Sequence, residues 1–386
     1  MHIYMIYNYD YYNPRNGGGI RYTHNLINYL LKNGIKVTLI GVDLSNNKNV
    51  VKNSGPDTIY VLKNSDNALK FFIKLFLKVS FLKFEENSII HAHRTYFLLP
   101  SILFHPKVPK VVTLHMKPLE FVRVEYPQYF KLVNKLHKIV ESFCLKRINV
   151  LVAINEEVKQ AYERRYPWIN GKIKVIPGTG VDLEKFKPMD KEKIRKKYGF
   201  KPDEKIILFV GRLEKIKNLD FLIRSFVFVI NEVPNAKLVI VGRGSWQENL
   251  VNLVKELNLE SNVIFMGEIN PEEMPEVYNC ADVLALSSMS EASPSVVREA
   301  LACGVPVVST NVGDASEIIT DPLLGAIGNE YDEKLFAEAL IKTIEIVKAK
   351  PEKVKERCRD VALERFSFEV IAKKYVEIYR LIVKRR

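Results

Sequence analysis

A chain of 386 residues, 47% hydrophobic and 27% charged, can bury two full cores, and no run of about 20 uninterrupted apolar residues is present to cross a bilayer. Its four cysteines, Cys144, Cys280, Cys303 and Cys358, are scattered without C-x-x-C spacing, so neither a zinc site nor a disulfide frame is indicated and small buried apolar residues are expected. The net charge of +13 arises in the first half, because residues 1–177 hold 26 of the 58 Lys and Arg but only 12 of the 45 Asp and Glu, along with all seven His.

The opening MHIYMIYNYDYY has neither the basic start nor the apolar segment of a signal peptide, so a cytoplasmic protein is expected. IYMIYNY reads as a strand. The turn-prone NPRNGGG follows, then a helix in which Leu26, Ile27 and Leu30 repeat at helical spacing, then the strand KVTLIGV. This order makes a parallel βαβ unit. Gly17, Gly18 and Gly19 lie at the loop-to-helix junction, where glycine lets a backbone approach an anion, although their spacing is not the G-x-G-x-x-G of a dinucleotide site. Residues 68–84 are the most apolar helical stretch, with Lys70, Lys74 and Lys78 on one face. A buried helix with one solvated lysine edge is the expectation, and a membrane-interface helix the alternative.

SIIHAHRTY and VVTLHMKP are strands ending in histidine, and ligands gather at the carboxyl ends of strands in a doubly wound sheet. His91 and His93 point the same way, yet no third ligand for zinc can be placed. His93 and His115 are therefore candidates for lining a cleft. Residues 116–130 form a basic, aromatic loop. The helix FKLVNKLHKIVESFCLKR, the strand INVLVAI and a helix capped by Asn155 come next, and KIKVIPGTGVDLEKFKP closes a first domain near residue 180.

The second half opens with a strand, a turn at Gly211 and a helix, and the turn carries Arg212 and Lys217. AKLVIVGRG ends in Gly242 and Gly244, and VIFMGEI contains Met266 and Gly267. In SSMSEASPSVVREALACGVPVV, Glu291 precedes Ser293 as an N-cap and Pro294 as the first helical residue. The N–H groups of Ser295, Val296 and Val297 would then present the positive end of a helix dipole to a diphosphate. Glu299 lies a little over one turn inside, so one carboxylate can stand on each side of that diphosphate. Residues 332–386 are helical by pattern.

Glu291-x7-Glu299 followed by EALACGVPVV closely resembles the signature of retaining glycosyltransferases of the family 4 type. VVTLH, the linker VIPGTGVD, Gly-Arg-Leu at 211–213 and Val-Gly-x-Gly at 241–244 resemble it too, so the likeness runs from Gly17 to about Tyr379. It implies an α/β fold of the GT-B kind, with two Rossmann-like doubly wound domains facing a central cleft. Residues 1–180 would bind the acceptor and 181–365 the nucleotide sugar, while 366–386 form a helix returning to the first domain. The implied reaction moves a sugar from a UDP- or GDP-sugar, with retention, to a hydroxyl of a lipid-linked or polysaccharide acceptor.

Within that resemblance His115 touches the donor sugar near the reacting carbon, Arg212 and Lys217 neutralise the diphosphate, Glu291 holds sugar hydroxyls and Glu299 ribose hydroxyls. Gly17, Gly18, Gly242, Met266, Gly267, Ser295 and Val296 border the donor. There is no Asp-x-Asp motif, and two cations with a helix start can neutralise a diphosphate, so neither a metal nor another cofactor is expected. The basic first domain points to an anionic acceptor or to peripheral contact with an anionic membrane face; nucleic acid is not expected, since no basic helix carries base-reading chemistry. Two departures touch the sugar pocket. Ala292-Ser293 replaces a glycine and a large apolar residue after Glu291, and Asp314 in NVGDASEII replaces the second glycine of a Gly-Gly-x-x-Glu loop. A sugar-nucleotide epimerase of the same architecture and a catalytically inactive nucleotide-sugar-binding protein are the alternative readings.

Overall fold

The structure is a computed structural model, and it describes residues 1–12, 18–44, 55–117, 130–178, 180–329 and 332–384. The chain divides into two compact units, one of Met1–Thr179 with Phe368–Arg386 and one of Gly180–Ser367. Gly17 and most of the acceptor-side loop at 116–130 lie outside the described residues.

Unit 1 is built on seven parallel strands: β1 (His2–Ile6), β2 (Lys36–Asp43), β3 (Asp57–Lys63), β4 (Ser88–Ala92), β5 (Lys110–Leu114), β6 (Val150–Ala153) and β7 (Ile173–Val175). Their spatial order is β3-β2-β1-β4-β5-β6-β7. The β1, β4 and β5 residues are buried on both faces, which is why these strands read as unbroken apolar runs without alternation. On one face α1 (Gly18–Lys32) packs Leu26, Ile27 and Leu30 together with the terminal helix Phe368–Lys384. On the other lie α2 (Ala68–Ser80), α3 (Leu99–Phe104), α4 (Phe130–Lys146) and α5 (Glu156–Arg165). Asn155 caps α5 as expected, its side chain accepting from Val158 N at 2.8 Å.

α2 departs from the expected buried helix. Phe71, Leu75 and Val79 are fully buried, but a second apolar row of Leu69, Ile73, Leu77 and Phe81 faces solvent beside the lysines. The four-residue repeat of apolar side chains runs along two faces of this helix, and periodicity alone could not show that the sheet takes up only one.

Unit 2 holds six parallel strands in the order β10-β9-β8-β11-β12-β13. They are β8 (Lys205–Val210), β9 (Ala236–Val241), β10 (Val263–Gly267), β11 (Val283–Leu286), β12 (Val307–Ser309) and β13 (Gly325–Ile327). The helices are α6 (Lys191–Lys197), α7 (Leu219–Glu232), α8 (Gln247–Glu256), α9 (Met274–Cys280), α10 (Ser295–Ala302), α11 (Ala315–Ile318), α12 (Glu333–Ala349) and α13 (Pro351–Phe366). In each sheet the strand order reverses once, between β1 and β4 in unit 1 and between β8 and β11 in unit 2. Such a reversal leaves a crevice at the strand carboxyl ends, because the flanking connections depart to opposite faces.

All four cysteines are buried free thiols, and burial pushes Cys144 up to about 12 and Cys280 up to about 11. Among the described residues no group of three His, Cys, Asp or Glu is arranged to hold a metal, and no helix is long and apolar enough to cross a membrane.

Candidate functional site

In unit 2 the crevice is made by the loops that follow β8, β9, β10 and β11. After β8 the chain turns at Gly211 and passes Arg212 to a 3-10 turn, Lys215–Lys217, before Asn218, in the left-handed region at φ 52°, opens α7. Gly242 ends β9 at φ 134°, and a Cβ there would stand 1.9 Å from the Gly211 carbonyl oxygen, so no other residue fits. Its N–H donates to Gly267 O at 2.7 Å, and Gly211 N donates to Val241 O at 3.0 Å. Met266 is the extra residue of a bulge between Phe265 and Gly267, which turns the end of β10 at this point. The Met266 side chain packs against the core.

The loop after β11 is fastened onto the β8 loop. Met289 N donates to Ile216 O at 2.9 Å, and the buried Ser287 hydroxyl donates to Lys217 O at 2.9 Å. Lys217 Nζ donates to Glu291 Oε1 at 2.5 Å, and the Ser288 hydroxyl donates to the same oxygen at 2.8 Å. Both members of this ion pair are mostly buried, at 18% and 16% side-chain exposure. Arg212 is not joined to them. Its side chain is 74% exposed and its guanidinium pairs with Glu214 at 2.5 Å.

α10 begins one residue later than expected. Pro294 is its N-cap, with ψ 112°, and no side chain caps the helix. Ser293 does not cap it, because its hydroxyl is directed to Asp314 Oδ2 at 3.3 Å. The first N–H groups, including those of the half-buried Ser295 and Val296, therefore lack a side-chain acceptor at the positive end of the helix. Glu299 follows, about 6 Å farther along the axis than Ser295, and accepts a hydrogen bond from the buried Tyr278 hydroxyl at 2.7 Å.

In unit 1 the strand ends bring together Tyr7, His93 and His115. A Cβ on Gly19 would meet Tyr7 Oη at 3.0 Å and His115 Cγ at 3.4 Å, so the start of α1 lies directly against the histidine. Gly18 is the first residue of that helix. His93 and His115 stack at 5.2 Å between ring centroids, with His93 Nδ1 and His115 Nε2 2.9 Å apart. They line a pocket of about 90 Å³ with Arg94, Lys117 and the buried Glu141. Glu141 accepts from Tyr162 at 3.0 Å and Tyr166 at 2.7 Å. His91 is structural, held between Tyr379 Oη at 2.6 Å and Thr113 Oγ1 at 2.8 Å.

Burial holds all three histidines neutral, His91 at about 3, His115 at about 4 and His93 well below the usual value. The unfolded chain binds these protons near pH 6.5, so it takes up more protons than the folded one below that pH, and stability is lost as pH falls from about 6.5 toward 4. At pH 4.5 the fully buried His91 alone should cost about 2–3 kcal/mol. Denaturant titrations between pH 7.5 and 4.5 should show this fall, and His91→Gln should flatten it; an unchanged slope would refute the assignment.

Residues 190–361 match the family described as glycosyl transferases group 1, and residues 16–185 match glycosyltransferase family 4. The chain belongs to the group 1 glycosyl transferases. An uncharacterized glycosyltransferase of Methanocaldococcus jannaschii is 27% identical over 387 residues, covering 97% of each chain. A D-inositol 3-phosphate glycosyltransferase of Segniliparus rotundus is 29% identical over 314 residues, 77% of this chain and 67% of that one. Anabaena HepE, in a crystal structure with UDP, has TM-score 0.75 at 19% identity, covering 98% of this chain and 99% of that one. The α/β fold of the GT-B kind anticipated from the resemblance is thus present in this glycosyltransferase.

Sequence reasoning passed over two parts of the glycosyltransferase. Glu141 lies in an amphipathic helix, where a carboxylate reads as solvated; only the tertiary fold turns it inward to two tyrosines. The buried Arg298, 1% exposed, donates to Pro294 O at 3.1 Å and pairs with Asp314. Asp314 was visible as a departure in the glycine loop, but the partner that explains it is 16 residues away.

Proposed function

We propose that this protein transfers a sugar from a nucleoside-diphosphate sugar to a hydroxyl on an anionic, lipid-linked or polysaccharide acceptor, with retention and without a metal, at the cytoplasmic face of a membrane. The observation that carries the donor reading is the junction of Lys217 and Glu291 across the β8 and β11 loops beside the uncapped start of α10. HepE, of the same fold, is found with UDP, which supports a nucleotide donor. The name of the S. rotundus relative includes D-inositol 3-phosphate, and an anionic acceptor is in keeping with the excess of cations in residues 1–177.

In this reading the diphosphate lies against the Ser295 and Val296 N–H groups, with Gly242 and Gly267 bordering the nucleotide, Met266 backbone beside the base, and Glu299 on the ribose. Glu291 Oε2 is left to accept sugar hydroxyls, since Oε1 is taken by Lys217 and Ser288. The C1–O bond of the donor breaks with its electron pair going to the diphosphate oxygen, where Lys217 and Arg212 offset the growing charge. The acceptor oxygen bonds to C1 from the same face, and its proton passes to the diphosphate. Gly17, Gly18 and His115 are assigned to the reacting end of the sugar.

A thermal-shift panel of UDP-, GDP- and ADP-sugars tests the donor reading, because a ligand that binds only the folded state stabilises it by about 2.7 kcal/mol at a hundred times its Kd. One nucleotide should raise the melting temperature by several degrees. Absence of any shift overturns the reading, and an epimer formed from donor alone, seen by NMR, replaces transfer with epimerisation.

A further inference from the structure

Helix α2 is apolar on two sides. Phe71, Leu75 and Val79 enter the unit 1 core, while Leu69, Ile73, Leu77 and Phe81 stand 54%, 56%, 67% and 86% exposed in a single row at four-residue intervals. A helix whose outer face met only water would carry polar residues there. Beside this row runs a second of exposed Lys70, Lys74 and Lys78, none with an ion-pair partner among the described residues, and no acidic residue occurs from Ala68 to Ser80. The neighbouring α3 adds Leu103 and Phe104, 49% and 45% exposed, with the Phe104 ring packed edge-on against Phe76 at 5.6 Å. Thirteen residues make a helix of about 20 Å, short of the roughly 30 Å of a hydrocarbon core, so spanning is excluded and lying flat is not.

We propose that the outer face of α2, with the adjoining end of α3, docks in the plane of an anionic lipid surface. The apolar row enters the boundary between headgroups and acyl chains, and the three lysines lie on the headgroup phosphates, their alkyl stems covering apolar surface. Charge selects this occupant over a second copy of the chain, since a two-fold contact through this face would set one lysine row against the other. The inference rests on the lipid-linked acceptor reading for its purpose, but binding itself requires neither donor nor acceptor, so the two fail separately.

The test is co-sedimentation of the full chain with vesicles of phosphatidylglycerol and phosphatidylcholine, against phosphatidylcholine alone, at low and high salt. Binding should require the anionic lipid and weaken steeply with salt. Lys70→Gln, Lys74→Gln and Lys78→Gln combined should weaken it on the order of a hundredfold, and Leu77→Ser with Phe81→Ser should weaken it at least about tenfold. Both variants should melt like the parent, because every replaced side chain is exposed. No binding to the anionic vesicles, or binding unaltered in both variants, overturns the proposal. So does a solution dimer that Leu77→Ser with Phe81→Ser disperses, which would assign the face to a second copy. Vesicle binding without any sugar transfer would instead leave this surface standing and count against the acceptor reading.

Discussion

Lys217→Ala should lower kcat/KM for sugar transfer by about 10²–10³-fold, the range seen when one preorganised group that stabilises developing charge is removed. In the structure Lys217 Nζ is held at 2.5 Å from Glu291 Oε1, and its carbonyl accepts from Ser287, so both ends of the residue are fixed before any donor arrives. A cation positioned in this way needs no reorganisation as the diphosphate departs. Truncation removes that charge and leaves Glu291 oriented by Ser288 alone. Both losses fall on the chemical step, so kcat should drop more than the donor KM rises. Glu291→Gln keeps the Lys217 charge but replaces its anionic partner with a neutral amide, so kcat should fall while the nucleotide affinity, measured calorimetrically, stays near that of the parent. Steady-state kinetics that leave Lys217→Ala near the parent rate would remove this residue from the mechanism.

Asp314→Ala should destabilise unit 2 by about 3–5 kcal/mol, because it strands a charge with no route to water. The Arg298 guanidinium is 1% exposed, lies 4.9 Å from the Phe366 ring centre, and has Asp314 as its anionic partner. Combining Arg298→Met with Asp314→Ala should recover most of the loss, since an apolar side chain of similar length occupies the same space without a desolvation cost. Chemical denaturation of the four proteins forms a double-mutant cycle, and a coupling below about 1 kcal/mol would show that the pair is not a unit. The pair also explains the altered glycine loop. Asp314 receives both Arg298 and the Ser293 hydroxyl, so it ties the start of α10 to the segment after Gly313, the region beside Glu291.

The residues of the candidate site differed in how far they could be read in advance. Gly242 is marked in the sequence by its place at a strand's carboxyl end, and the 1.9 Å approach of the Gly211 carbonyl shows why a glycine is required there. Glu291 and Glu299 stand out in the sequence through their spacing to a helix start, a local relation, whereas Lys217 is singled out only by the family resemblance. Local chemistry places the cap one residue early, because Ser293 is a good N-cap but Asp314, distant in sequence, takes its hydroxyl. In α2 the solvated lysine row follows from the sequence pattern and the exposed apolar row does not, since a period of four marks a face without telling what lies against it.

By itself the sequence determined the alternation of apolar strands and helices, the glycines at their carboxyl ends and the two carboxylates that flank the start of α10, all of which depend on neighbours within a few positions. Only the tertiary structure decided which hydroxyl meets which carboxylate, that Glu141 and Arg298 are buried, and that α2 shows an apolar face to the outside. Those outcomes depend on side chains tens of residues apart competing for the same partners and the same surface, and the free energies that settle the competition exist only once the sheets have brought them together.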